Sequence, residues 1–337
     1  MSRYAKQILF RPLGEEGQRK LGASRVAVIG LGALGSVIAN HLARAGVGFL
    51  RLVDRDFVEL DNLQRQILYD EDDVKAAMPK AQAAAAKLAR VNGEVKLDPR
   101  VVDVTWSNVE DLVKDVDLVL DGTDNFETRF LLNDACVKHR RPWIYGGCVG
   151  SYGMVMAVRP GDGPCFACLV SDKPPPGSTP TCDTAGVLNT AVAVVASLEA
   201  TEAIKLLAGR PEALAGGLQT LDLWTNASHT VKVPRNPACE TCGAGRFKHL
   251  QAAPAGTAVL CGRNAVQITP ATPTALDLVE AERRLSPLGK VRRNPYLLKF
   301  AVPDGGELTL FPDARAIVQG TDDPSRARSI YARYVGV

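Results

Sequence analysis

Apolar runs without polar interruption alternate with glycine-rich or acidic breaks through the first 150 residues. Residues 25–29 (Arg-Val-Ala-Val-Ile) predict a short strand buried on both faces, as parallel strands are. Gly30-Leu31-Gly32-Ala33-Leu34-Gly35 follows, then a helix over 36–45 stopped by Gly46, then a strand over 49–53 that finishes at Asp54. That is a βαβ unit with glycines at its first turn. A helix over 78–91 is marked by Pro79 near its first turn and Gly93 past its end. A strand over 118–120 delivers Asp121-Gly122-Thr123-Asp124-Asn125, and a helix over 126–140 and a strand over 143–145 continue the alternation. The expectation is a Rossmann-like α/β fold, a mainly parallel sheet flanked by helices.

After Tyr152 the texture changes. A β segment over 154–158 is followed by Cys165-Phe166-Ala167-Cys168 and the break Pro174-Pro175-Pro176-Gly177-Ser178. A long apolar helix over 187–207 resumes the core, and strands over 217–224 and 229–233 precede Cys239-Glu240-Thr241-Cys242. Ala, Pro and Gly from about residue 250 mark a linker. The rest reads as a strand, a helix over 275–285, two or three strands over 296–317 and a helix over 324–334. The expected division is one domain over 1–249 and a small α+β appendage over 250–337.

Composition narrows the class. A formal charge of +3, with Lys and Arg scattered, argues against a nucleic-acid partner. The start, Met1-Ser2-Arg3-Tyr4-Ala5-Lys6, leads into no apolar signal, and the most apolar stretch, 190–200, is broken by Ser197 and Glu199. The expectation is a cytoplasmic protein without membrane contact.

The glycines at 30, 32 and 35 let a nucleotide approach free N–H groups at a helix start. Asp54, placed 19 residues past Gly35, is suited to ribose hydroxyls. Hydride transfer to a nicotinamide would share this half, yet it has no use for Asn62, Arg65, Lys80 and Asp124. An amide, two cations and a carboxylate suit displacement at phosphorus, where charge on the phosphate oxygens must be stabilised. Taken singly, Arg65 and Lys80 are equally readable as solvated cations, and Asp124 as the cap of the following helix.

Four of the eight cysteines form two Cys-x-x-Cys pairs, Cys165/Cys168 and Cys239/Cys242. Four thiolates suit a closed structural Zn²⁺ site. Cys182 lies just before a helical stretch, where a thiol can be activated as a nucleophile; the alternative is an idle loop cysteine. Cys136, Cys148 and Cys261 read as core residues, and His41, His139, His229 and His249 show no ligand spacing.

Together these residues resemble the ThiF/MoeB family, bacterial relatives of ubiquitin-activating enzymes, and most of all its longer ThiF members. The resemblance runs from Arg3-Tyr4-x-x-Gln7 through Gly30–Gly35, Asp54 and Asp56, Asn62-Leu63-Gln64-Arg65-Gln66, Pro79-Lys80 and Thr123-Asp124-Asn125. It continues through both cysteine pairs and Thr181-Cys182-Asp183-Thr184-Ala185-Gly186-Val187. It implies an ATP-dependent adenylyltransferase acting on the C-terminal glycine carboxylate of a ubiquitin-like sulfur carrier with a Gly-Gly tail. A ThiS-like carrier for thiamin thiazole comes first, a MoaD-like carrier for molybdopterin second; a non-catalytic carrier-binding scaffold is the contrasting reading. By the same resemblance Asp54 and Asp56 serve the ribose side, while Asn62, Arg65 and Lys80 contact phosphates. Asp124 would hold Mg²⁺, and Cys182 can link covalently to the carrier in some members. A cysteine desulfurase or other persulfide donor is an implied partner. The family's homodimer implies a basic residue reaching the partner's triphosphate; Lys6 stands there instead of the usual Arg. The usual Gly-x-Pro-Lys is lengthened here to Lys75-Ala76-Ala77-Met78-Pro79-Lys80.

Overall fold

Side chains on successive residues of a strand point to opposite faces, so a strand that is apolar throughout must be covered twice. The computed structural model describes residues 2–174, 180–251, 257–260, 264–270, 275–303 and 305–335. In it Val26, Val28, Leu50, Leu52, Leu118 and Leu120 enter one core. Ala27, Ile29, Phe49, Val53 and Val119 enter another on the opposite face. The sheet lies between two helical layers.

That sheet has eight strands: β1 (Arg25–Ile29), β2 (Phe49–Val53), β3 (Lys96–Arg100), β4 (Leu118–Asp121), β5 (Trp143–Val149), β6 (Tyr152–Val158), β7 (Leu218–Asp222) and β8 (Ala227–Val231). Their order is β3-β2-β1-β4-β5-β6-β7-β8. The first five run parallel, and β6, β7 and β8 add antiparallel hairpins. The expected Rossmann-like α/β half and its β continuation are both present. The strand order reverses between β1 and β4, which opens a crevice beyond their carboxyl ends.

Several boundaries move. The helix expected from 78 begins at Lys80 and runs to Val91, because Pro79 is extended and Phe57 forms a bridge with it. The strand β3 has the sequence Lys-Leu-Asp-Pro-Arg, without an apolar run, and it carries Pro99. An edge position tolerates both, since one side of the strand needs no ladder partner. The helix over 126–140 ends at Lys138, and the long apolar helix is Asn189–Leu207. Two short N-terminal helices, Ala5–Ile8 and Gly14–Ala23, carried no apolar signal.

The chain divides into two units, Met1–Ala252 and Ala253–Val337. The second has its own six-stranded antiparallel sheet: β9 (Thr257–Leu260), β10 (Ala265–Ile268), β11 (Val291–Arg293), β12 (Leu298–Ala301), β13 (Glu307–Leu310) and β14 (Ala316–Gln319). Their order is β11-β12-β13-β14-β10-β9. Helices Leu278–Leu285 and Pro324–Tyr334 start at the caps Asp277 and Asp323 and bury Leu285, Tyr331 and Tyr334 with Phe300 and Leu308. Cys261 and most of the proline run before Cys182 lie outside the described residues. No helix among the described residues is long and apolar enough to cross a membrane.

Candidate functional site

The crevice is built on three glycines. Gly30 adopts φ +84°, and a Cβ there would stand 2.7 Å from the carbonyl of Gly122. A Cβ on Gly35 or on Gly122 would collide with the carbonyl oxygen of Gly30. These glycines therefore press the end of β1 against the end of β4. Gly32 differs: a Cβ there would meet nothing nearer than Gln66 Nε2 at 3.8 Å. It caps the helix Ala33–Ala45, and the space above it is open to a ligand.

Hydrogen bonds tie the remaining sequence-predicted residues to this turn. Leu31 N–H donates to Asp54 Oδ2 and Asp56 N–H donates to Asp54 Oδ1, each at 2.7 Å. Tyr69 Oη donates to Leu31 O at 2.7 Å and approaches Lys80 O at 3.3 Å. Lys80 N–H donates to Asp56 O, and its ammonium lies 3.7 Å from Asp56 Oδ2. Lys80 is buried, so it is not the solvated cation that the sequence also allowed. Burial pushes the Asp54 carboxyl up from its ordinary value, with Lys80 opposing and Asp56 reinforcing that shift.

Asn62 is buried at the end of a one-turn helix, Leu60–Asn62. Its Nδ2 donates to Asp61 and its Oδ1 accepts from Glu59 N–H. Arg65, half-buried, donates to Asp61 O at 2.8 Å. Asp124 does not cap the helix Phe126–Lys138; Asn125 does, accepting from Thr128 N–H. Asp124 is left exposed beside Gly122 at the end of β4. Lys6 sits elsewhere. Arg3 and Gln7 bond Val91 O and Ala45 O, the far ends of the helices that begin at Lys80 and Ala33. The latter helix has 13 residues, so Lys6 lies about 20 Å from its own glycine turn.

Three contributors had no sequence signal of their own. Arg129 is buried and donates to Asp121 Oδ2 (3.0 Å), Thr123 O (2.7 Å) and Gly146 O (3.0 Å). It thereby fixes the loop that carries Asp124. Tyr69 and Gln66 bind the glycine turn to the segment that follows β2. A buried tyrosine requires a hydroxyl partner, which marks Tyr69 only once its burial is known.

Cys182 begins the short helix Cys182–Ala185, whose cap Thr181 accepts from Thr184 N–H. Its thiol donates to Cys148 O at 3.3 Å, at the end of β5. Cys148 is half-buried and not a core residue as expected. Burial, with Cys182 and Glu199 adding to it, raises its thiol to about 12. Cys136 is fully buried. Asn189 donates to Gln64 O at 3.2 Å, which holds the segment after Cys182 against the segment carrying Arg65.

The two cysteine pairs meet. Cys165–Cys239, Cys168–Cys242 and Cys165–Cys168 sulfurs are 3.7, 3.5 and 4.0 Å apart, and all four lie within 4.8 Å of one another. A tetrahedral Zn²⁺ with bonds near 2.3 Å requires sulfur separations of about 3.8 Å. The residues fit the ion. Asn133 Nδ2 and Asn236 N–H donate to Cys165 and Cys168 sulfurs, as groups around a metal thiolate do.

A turn seated where the strand order reverses, polar side chains converging on it and a four-thiol centre define a Rossmann-like α/β protein of the nucleotide-site type. The chain belongs to the ThiF family, whose profile matches residues 4–241. It is 45% identical over 338 residues to the sulfur carrier protein ThiS adenylyltransferase of Bacillus subtilis, covering 99% of both chains. It is 42% identical to the SAMP-activating enzyme E1 of Haloferax volcanii, over 73% of this chain and 90% of that protein. The sulfur carrier protein adenylyltransferase of Thermus thermophilus is 39% identical over 72% of this chain and 91% of its own length. Among solved structures, E. coli MccB with ATP shares the fold with a TM-score of 0.64 at 22% identity, covering 72% of this chain and 75% of that one.

Proposed function

We propose that this chain adenylylates the C-terminal glycine carboxylate of a ubiquitin-like, ThiS-like sulfur carrier, using ATP. The convergence of Asp54, Arg65, Lys80 and Asp124 on one glycine turn carries the reading, and the full-length likeness to a ThiS adenylyltransferase supports the carrier class. In this scheme Asp54, with Asp56, orients the ribose, while Arg65, Lys80 and Asn62 hold the phosphates. Asp124 would hold Mg²⁺, which supplies charge screening at the phosphate oxygens. The carrier's carboxylate, already ionised at neutral pH, attacks the α-phosphorus and pyrophosphate leaves, so no general base is required. Positioning and cationic stabilisation account for the chemistry.

Cys182 is then placed to attack the acyl-adenylate or to receive sulfur from a persulfide donor such as a cysteine desulfurase. The zinc site clamps the loops beside β6 and β8 and takes no part in the reaction. Exposed Leu9, Phe10, Leu60 and Ile67 support a homodimer, and reduced thiols suit the cytoplasm. A MoaD-like carrier is the second reading, supported by the more general name of the Thermus relative.

ATP–pyrophosphate exchange, run with carriers that end in Gly-Gly, tests this. Exchange should rise with the cognate carrier and fall by about 100-fold or more in Arg65→Ala and Asp124→Ala. Full exchange in both variants would remove the site; no exchange with any carrier would leave the scaffold reading.

A further inference from the structure

Gln66 takes no part in the scheme above, yet its side chain stands over the one glycine whose surroundings are empty. It is 4% exposed, and its Oε1 is buried without a hydrogen-bond partner. Its Nε2 is the atom nearest to where a Gly32 Cβ would stand, at 3.8 Å. The backbone is fixed on both sides, since Gln66 N–H donates to Asn62 O and Gln66 O accepts from Tyr69 N–H. The side chain is therefore held, and its amide faces the N-terminus of a 13-residue helix.

A buried acceptor without a partner is a net cost to the folded protein, and an apolar residue of the same size would avoid it. A polar side chain that only filled space here would be a poor choice. An amide N–H aimed into an anion-binding turn has a clear use: it adds a neutral donor to the backbone donors already there. We propose that Gln66 is a positioning residue for the nucleotide, its Nε2 donating to a phosphate oxygen seated over Gly32. This deepens the reading of the site as an ATP site and rests on it. It also accounts for Gly32, because any Cβ would intrude between the amide and the phosphate.

The test uses the full chain with its carrier. Gln66→Met keeps the size and removes the donor. The expected result is a KM for ATP raised about tenfold in pyrophosphate exchange, with kcat within about twofold. The melting temperature without nucleotide should be equal to or above that of the wild type, and the upward shift produced by ATP should shrink. Gln66→Glu, which sets a carboxylate against the phosphate, should raise the KM further. An unchanged KM for ATP in both variants overturns the proposal, and so does a lowered melting temperature of nucleotide-free Gln66→Met, which marks a structural role. Wild-type protein without exchange would instead overturn the adenylylation reading, so the two failures are distinguishable.

Discussion

Gly32 and Gly35 share a turn but are glycine for different reasons. At Gly35 a Cβ meets the Gly30 backbone, which cannot yield. Gly35→Ala should lower stability by roughly 3 kcal/mol, seen as a drop in denaturant midpoint. Gly32→Ala should leave that midpoint unchanged while ATP binding is lost, because only ligand space is filled. Equal destabilisation by both would show that the space over Gly32 is not a binding cradle. Glu199 makes a second point at this level. It is fully buried in the helix Asn189–Leu207, both oxygens lack partners, and a Cβ on Gly146 would collide with it. Burial first, then the charge of Asp121, pushes its carboxyl well above the ordinary 4.5, against the pull of Arg129. A raised pKa means that its contribution is most favourable below 4.5 and is lost as pH rises toward the folded value. Glu199→Gln should therefore gain in melting temperature relative to wild type between about pH 5 and pH 8, with the gap narrowing on acidification. A gap independent of pH would show that Glu199 does not titrate in this way.

The helix Phe126–Lys138 links the candidate site to the thiol centre. Its first turns hold Arg129 and the Asp124 loop, and its later turns supply Asn133 and Asp134. Asn133 accepts from Phe166 N–H; Asp134 accepts from Thr241 Oγ1 and His249 N–H. Both cysteine loops are thus anchored to one buried helix face, and the metal would close the arrangement. Purified protein should carry about one Zn²⁺ per chain. Chelation or Cys239→Ser should lower the melting temperature clearly, since metal binding is coupled to folding. Exchange activity, measured well below the new melting point, should persist within a few-fold. Removal of zinc without any thermal effect would contradict a structural role.

For the whole molecule, the decisive contact is one that a single chain does not make. Lys6 is held at the far end of the helix Ala33–Ala45 from its own glycine turn, so any role at a triphosphate requires a second copy. In a two-fold dimer, Lys6→Ala and Asp124→Ala homodimers should each lose exchange by about 100-fold or more. Mixed after dissociation, they should recover about a quarter of wild-type activity, because half the dimers are mixed and each mixed dimer has one intact site. No recovery on mixing would exclude action across the interface.

The linear order of residues determined the buried strands, the glycine turn, the acid after β2, the cysteine pairs and the membership of one family. Each of these is written in neighbouring residues, whether as an apolar run, a turn requirement or a ligand spacing. It could not reveal β3, whose Lys-Leu-Asp-Pro-Arg is stabilised by its edge position beside β2 rather than by its own propensity. It left open whether Asp124 or Asn125 caps the following helix, and whether Lys80 is solvated. Only the tertiary structure brought Cys165 and Cys239 to 3.7 Å, set Arg129 beneath the Asp124 loop and aimed Gln66 at Gly32. Those relations join residues far apart in the chain or depend on burial. Burial is a property of the packed molecule, since it exists only when other segments have displaced the water.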